Sequence, residues 1–332
     1  MVGGETLARE ILHKLATRTS ALLLAAIIIY LLVRAESYYL LFFINVLYFA
    51  TIVLAWNIIG GYAGQLDLAS AAYLTLGGIV SSLVVEKISS ALPSPVLALA
   101  PAILTGGIVS CMLAMSIGFF MFKFGVREVW YALSTAAIVV ILNSTTRLLI
   151  GPYEYYLSVR VIKIPPYDSL YFIVVACLTI VYVLNNFISN SRIGFYLRAI
   201  REDELAAEAV GIDTRKYKLL ALALYSFVLG SIGFFYIVVS GYFYTYRFFD
   251  TTMSVSVAIL GIIGGLGSPE GCLLSAIILK SIGEYLRASF ATLIPGLHLL
   301  LYGLTLIAIG VFEPEGIAGL YTRMKKLVAT KR

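Results

Sequence analysis

The feature that most limits this chain is a succession of long stretches almost free of charge. Tyr38–Gly61, Pro95–Phe122 and Val129–Thr146 hold no charged residue, and each meets the roughly 18 residues that mark a transmembrane helix. Composition agrees. Apolar residues make up 61 % of the chain and charged residues 13 %, where a soluble domain carries roughly a quarter charged. The mean hydropathy is +0.96. No composition shift marks a boundary, so the expected fold is an all-α integral membrane protein, a polytopic helix bundle forming one domain over 1–332.

Ten apolar spans can be drawn, at about 19–33, 38–60, 65–86, 95–122, 129–146, 169–188, 218–240, 252–265, 271–286 and 297–312. The first and the eighth are short for a crossing. Pro93, Pro95, Pro165 and Pro166 stand at boundaries, where a helix must start or stop. With ten spans, and with Lys218 at the edge of the seventh counted with the 189–217 loop, one side of the membrane holds 16 Lys and Arg and the other seven, and Lys280 lies within a span. The positive-inside rule then makes both termini and the 189–217 loop cytoplasmic. The net charge of +6 is accounted for by those loops and calls for no nucleic acid. Arg9, Lys14 and Arg18 precede Ser20–Val33 as in a secretory signal, but Arg34, Ala35 and Glu36 follow where a cleavage site would stand. An uncleaved first helix is expected.

Residues that bear chemistry are few. Cys111, Cys177 and Cys272 lie in apolar stretches without CxxC spacing and read as small core residues. His13 and His298 are too far apart in the chain to suggest a metal site. There is no Gly-Lys pair and hence no phosphate-cradling loop of the Walker type. Neither facing acids nor a nucleophile with its base appears, which argues against an intramembrane enzyme.

Two segments stand out. The run RAIREDELAAEAVG at 198–211 has Glu202, Asp203 and Glu204 where the first turn of a short helix would be, matching the positive end of its dipole. Alanines follow, and Gly211 supplies a C-terminal cap. The run is either a solvated loop helix or a docking element. The second segment is the start of the third span. Asp67 there is an ionisable residue near membrane depth, which makes it a functional candidate. Gln65 and Asp67 either line a translocation path or lie at the cytoplasmic interface. Gly60, Gly61 and Gly64 allow an open turn just before that helix. Ser70, Leu74, Gly78 and Ser81 continue down one face as a small-residue stripe, whose plain explanation is helix packing. Asn143 ends the fifth span and suits an interhelical hydrogen bond. Lys280, Glu284 and Arg287 are spaced as a paired cluster near a helix end, and the 23 tyrosines crowd the span ends as interfacial anchors do.

The 198–211 run and Tyr217–Leu220 resemble the coupling segment of permeases in branched-chain amino acid ABC importers, specifically the LivM-type subunit. WNIIGGYAGQL at 56–66, LGIIGGLGS at 260–268, LYG at 301–303 and EPEG at 313–316 resemble four further stretches of that family in the same order. The resemblance implies a permease that binds no cofactor itself. ATP would be bound and hydrolysed by separate ABC subunits, and a second related permease and an external solute-binding protein would complete the assembly. The setting would be the cell membrane of a prokaryote. Arg198, Arg201, Glu204 and Glu208 would make charged contacts to the ATPase, with Ala207 and Gly211 permitting close approach; Gln65, Asp67, Ser70 and Asn143 would serve the solute path.

The chain also departs from the family pattern. GQLDLASAAY at 64–73 has Asp67 in place of a hydroxyl and Ser70 in place of a histidine, and GPYEYY at 151–156 replaces a Gly-rich stretch. The resemblance therefore implies a permease for a small polar solute, an amino acid or related compound, without fixing which. An extra acid suits a cationic or amide-bearing one. The competing reading is a stand-alone gradient-driven transporter or channel, for which Asp67, Lys280 and Glu284 form a thin relay. Under the importer reading, replacing Gly211 with a bulky residue is expected to uncouple ATP hydrolysis from uptake, and normal coupling in such a variant would refute it.

Overall fold

A computed structural model describes residues 2–89, 95–126, 128–150, 166–240, 248–290, 297–312 and 316–319. The 151–156 segment, the tyrosines at 242–246, residues 313–315 of the tail and the basic C-terminus lie outside them. The described chain is helical: α1 Val2–Val33, α2 Ser37–Trp56, α3 Ser70–Ser89, α4 Leu99–Lys123, α5 Glu128–Ile150, α6 Tyr167–Ser189, α7 Arg192–Glu202, α8 Glu204–Ala209, α9 Thr214–Ser240, α10 Thr251–Gly264, α11 Pro269–Phe290 and α12 Leu297–Phe312. A π-helical turn, Asn57–Tyr62, continues α2.

Seven of these helices are long and apolar enough to cross a membrane: those at Leu15–Val33, Ser37–Tyr62, Ser70–Ser89, Leu99–Lys123, Val129–Leu149, Tyr167–Ser189 and Thr214–Val238. The remaining three of the ten expected spans also form helices. However, α10 and α12 have only 14 and 16 residues, and α11 carries Glu270, Lys280, Glu284 and Arg287. The third span begins later than expected. Gln65 to Ala69 are not helical, and α3 starts at Ser70.

Helix α2 is the axis of the bundle. It packs against α6, α10 and α11, and nearly every residue from Val46 to Trp56 is buried. The tightest packing joins α3, α4 and α9. A Cβ added at Gly77 would lie 2.3 Å from the Gly230 Cα, and one at Gly78 would lie 2.6 Å from the Gly233 carbonyl oxygen. Ser81 Oγ donates to the Ala102 carbonyl at 2.8 Å, and Ser110 Oγ to that of Tyr73 at 2.8 Å. Lipid tails are as apolar as leucine, so such helices associate through close backbone approach and interhelical hydrogen bonds. The small-residue stripe on α3 is thus a packing surface. By contrast α1 turns Leu24, Ile28, Leu31 and Leu32 outward.

The Lys280–Glu284–Arg287 cluster forms as expected, with Lys280 Nζ 3.1 Å from Glu284 and Arg287 2.5 Å from its other oxygen. Lys280 also sits over the Phe49 ring at 4.5 Å. Arg18 pairs with Glu270, which ties α1 to the start of α11. The tyrosines are not all surface anchors: Tyr62, Tyr73, Tyr131, Tyr171 and Tyr225 are fully buried. Gly77→Val should destabilise the bundle by about 1–3 kcal/mol, the usual range for overpacking. Gly310→Ala, where a Cβ meets nothing within 4 Å, should leave the thermal midpoint of the detergent-purified protein unchanged.

Candidate functional site

The 189–217 loop contains two helices. Ser191 caps α7, its Oγ accepting from the Gly194 N–H at 3.3 Å. Asp203 then leaves the helical region with φ −158°, and its Oδ1 accepts from the Ala206 N–H at 3.0 Å. One aspartate therefore ends α7 and starts α8, as a short acceptor at an N-cap does. This corrects the expectation of a single acidic first turn: Glu202 closes α7, Asp203 is the cap, and only Glu204 lies within α8. Gly211 has φ +88°, and its N–H donates to the Glu208 carbonyl at 2.9 Å, the left-handed cap expected of it. Asp213 Oδ1 in turn accepts from the Lys216 N–H at 3.0 Å and starts α9.

Several charged side chains of this segment turn inward, whereas Glu202, Asp203 and Glu208 are exposed. Arg198 Nη1 donates to the Ser189 carbonyl at 3.0 Å. Arg201 Nη1 donates to the carbonyls of Gly61 at 2.8 Å and Leu266 at 3.2 Å, and its Nη2 to Glu202 at 2.7 Å. Glu204 accepts from Lys218 Nζ at 2.5 Å, and Glu208 from the Thr214 hydroxyl at 2.6 Å. Ala207 is buried. The outer surface includes Leu205 at 63 % and Val210 at 77 % exposure. A cavity of about 510 Å³ opens beside α8, between it and the turn after α4. Its lining includes Lys123, Glu204, Glu208, Arg215 and Lys218.

Arg201 also places the second segment, because the Gly61 carbonyl it binds ends the π-helical turn. Directly after that turn the chain is unwound, with Ala63, Asp67 and Ala69 buried and Gly64 and Leu66 exposed. Asp67 Oδ1 accepts from the Ala69 N–H at 2.8 Å and from the Tyr225 hydroxyl at 3.4 Å. Its Oδ2 accepts from the Tyr131 hydroxyl at 3.0 Å. Trp56 Nε1 donates to the Asp67 carbonyl at 2.8 Å, and Thr135 Oγ1 accepts from the Leu68 N–H at 3.0 Å. Ser70 Oγ lies 2.7 Å from the Tyr225 hydroxyl. Gln65 is half-buried and bonds to the Ala63 carbonyl at 3.2 Å. Asn143 bonds to the Phe249 carbonyl at 3.1 Å, about 18 Å along α5 from Tyr131 at 1.5 Å rise per residue. Asp67 and Ser70 are thus brought together on Tyr225, and Asn143 stands apart.

A second polar knot pins the same turn. Asn57 Nδ2 donates to Asn185 Oδ1 at 3.0 Å, and Asn57 Oδ1 accepts from the Gly267 N–H at 3.0 Å. Lys218, Tyr131, Tyr225 and Asn185 were not singled out by sequence reasoning. The available signal was a hydroxyl, amide or ammonium on an apolar helix, each of which needs a partner when buried.

Comparison with known proteins agrees with the motif order. The family model for the branched-chain amino acid transport system permease component matches residues 38–310. The chain is similar to the high-affinity branched-chain amino acid transport system permease protein LivM of Escherichia coli, 27 % identical over 160 residues. It is likewise similar to LivM of Salmonella typhimurium, 26 % identical over 160 residues. Each alignment covers 47 % of this chain and 36 % of the relative, so the match spans little over a third of these relatives. No solved structure matches the chain. The match over 38–310 takes in most of the chain, which therefore belongs to the family of branched-chain amino acid transport system permease components.

Proposed function

We propose that this chain is the transmembrane permease subunit of an ABC importer, passing a small polar solute by alternating access driven by partner ATPases. In this reading all ten apolar helices cross or enter the cell membrane of a prokaryote. Both termini and α7–α8 face the cytoplasm. A second related permease and an external solute-binding protein complete the assembly, and the ATP sits on the partner. The relatives' printed role in branched-chain amino acid transport makes an amino acid or related compound the solute to test first.

The observation that carries the reading is the arrangement of α8. It is a short helix capped at both ends, with Glu204 turned in to Lys218, Ala207 buried, and Leu205 and Val210 left exposed beside Glu208. A solvated loop helix has no need to present two large apolar side chains in this way. The tip suits an apolar seat on an ATPase, and the inward charges fix its position on the bundle. This modifies the expected division of roles. Arg198, Arg201 and Glu204 act from behind the docking surface, and Leu205 and Val210 form it with the exposed Glu208 beside them. Of the four residues expected on the solute path, Gln65 and Asn143 retain partial exposure and are the ones to touch a moving solute. Asp67 and Ser70 act as supports.

Tagged chain purified in mild detergent from its native membranes should carry one or two ATP-binding subunits, identified by mass spectrometry. Purification without them, combined with uptake in ATP-free vesicles, would favour the gradient-driven reading. Leu205→Glu with Val210→Glu should abolish co-purification of the ATPase while the permease stays monodisperse, because both positions are exposed. Arg201→Met, by contrast, should keep part of the ATPase and lower the thermal midpoint, since it leaves the Gly61 and Leu266 carbonyls without their donor.

A further inference from the structure

Lys218 is out of place for a lysine. It lies in the first turns of α9, where Arg215 and Lys216 are exposed, yet its side chain is only 4 % exposed. Its ammonium meets Glu204 of α8 at 2.5 Å and lies 4.9 Å from the centre of the Phe122 ring at the end of α4. Phe122 stacks on Tyr131 of α5, ring centres 5.3 Å apart and planes inclined by 17°. The Tyr131 hydroxyl donates to Asp67 at 3.0 Å, and Asp67 holds the unwound segment through its own Ala69 N–H. An unbroken line of contacts thus runs from the tip helix to the irregular backbone before α3.

Two physical points give this line a direction. A buried ion pair adds little stability over a well-packed apolar pair, and its best-attested use is to fix a register or a switch. The segment it anchors also has room to move: α8 packs on α7 and α9, and the cavity of about 510 Å³ separates it from the turn after α4. When α8 shifts, the buried ammonium must follow its carboxylate, because a buried charge left unpaired is costly. The aromatic pair, rigid and in stacked contact, then passes the displacement to Tyr131.

We infer that Lys218 is a positioning residue that carries movement of the ATPase-docked helix α8 through Phe122 and Tyr131 to Asp67 and the 63–69 segment. This rests on the importer reading above.

The test uses the complex of this chain with its co-purified ATPase in lipid nanodiscs. A reporter, Leu66→Cys, is placed in the segment after Cys111, Cys177 and Cys272 have each been replaced by alanine. The readout is the rate of maleimide labelling at position 66 with and without a non-hydrolysable ATP analogue, together with the amount of ATPase retained. In the parent, the analogue should change the labelling rate at least fivefold. Lys218→Met should reduce that response to less than twofold with the ATPase still bound, and the exchange Glu204→Lys with Lys218→Glu should restore it. Tyr131→Phe, which keeps the ring and removes only the hydroxyl to Asp67, should lose the response too. That variant carries the test if Lys218→Met does not fold. Lys216→Met, on the exposed face, should behave as the parent.

A parent complex that shows no nucleotide response at position 66 overturns the inference, as does a full response in Lys218→Met or, where that variant does not fold, in Tyr131→Phe. Failure of the ATPase to co-purify with the parent refutes the importer reading instead.

Discussion

Backbone that leaves a helix inside an apolar bundle must find hydrogen-bond partners within the protein, because no water is there to supply them. Each polar group left without one costs several kcal/mol in such surroundings. In this chain the problem is concentrated between Tyr62 and Ser70, where α2 ends in a π-helical turn and α3 has not begun. The solutions come from all around the bundle: Trp56 from α2, Thr135 from α5, and Arg201 from α7. Ser254 of α10 accepts the next free N–H, that of Ala71, at 3.0 Å. Four helices are therefore placed by the needs of one short segment, and Tyr131 and Tyr225 converge on it for the same reason.

The rest of the architecture makes that convergence possible. Gly77, Gly78, Gly230 and Gly233 let α3 and α9 touch along their backbones, which brings Tyr225 within reach of Asp67 and Ser70. A larger residue in that seam would push α9 away and break contacts two turns further along. Helix α9 also continues the chain from α7 and α8, so the same close packing that satisfies the unwound backbone fixes where α7 and α8 stand. Stability of the core and placement of α8 are set by one seam.

How much of this could be read from the sequence follows from what each feature depends on. Hydropathy is a local property, and each of the ten apolar stretches became a helix, with α12 at 297–312 as drawn. The helix signals at 198–211 were also local, so the alanines and Gly211 gave the correct end of α8. The start was misread because three consecutive acids look alike, whereas the chain turns at Asp203 alone. The onset of α3 was read as residue 65 since nothing local in GQLDLA forbids a helix. Tyr131, Thr135 and Ser254 hold it open, and they lie 64 or more positions away. The inward turn of Arg198, Arg201 and Glu204 was illegible for the same reason: a charge on a loop helix is expected to face solvent unless its distant partner is known.

Asp67 is one point at which the chain departs from the pattern of the permeases it resembles, and its surroundings explain the departure without reference to a solute. A carboxylate offers two oxygens, and here one takes the Ala69 N–H and the Tyr225 hydroxyl while the other takes the Tyr131 hydroxyl. A serine hydroxyl at this position has one oxygen on a shorter arm and could not receive both tyrosines. Tyr131, Tyr225 and Asp67 are therefore a matched set: the acid without the tyrosines would be a buried charge short of donors, and the tyrosines without the acid would be buried hydroxyls short of an acceptor. An acid that is already saturated by donors has little capacity left to bind a cation. The extra carboxylate therefore argues for a stiffened hinge before α3 and gives no support to a cationic solute.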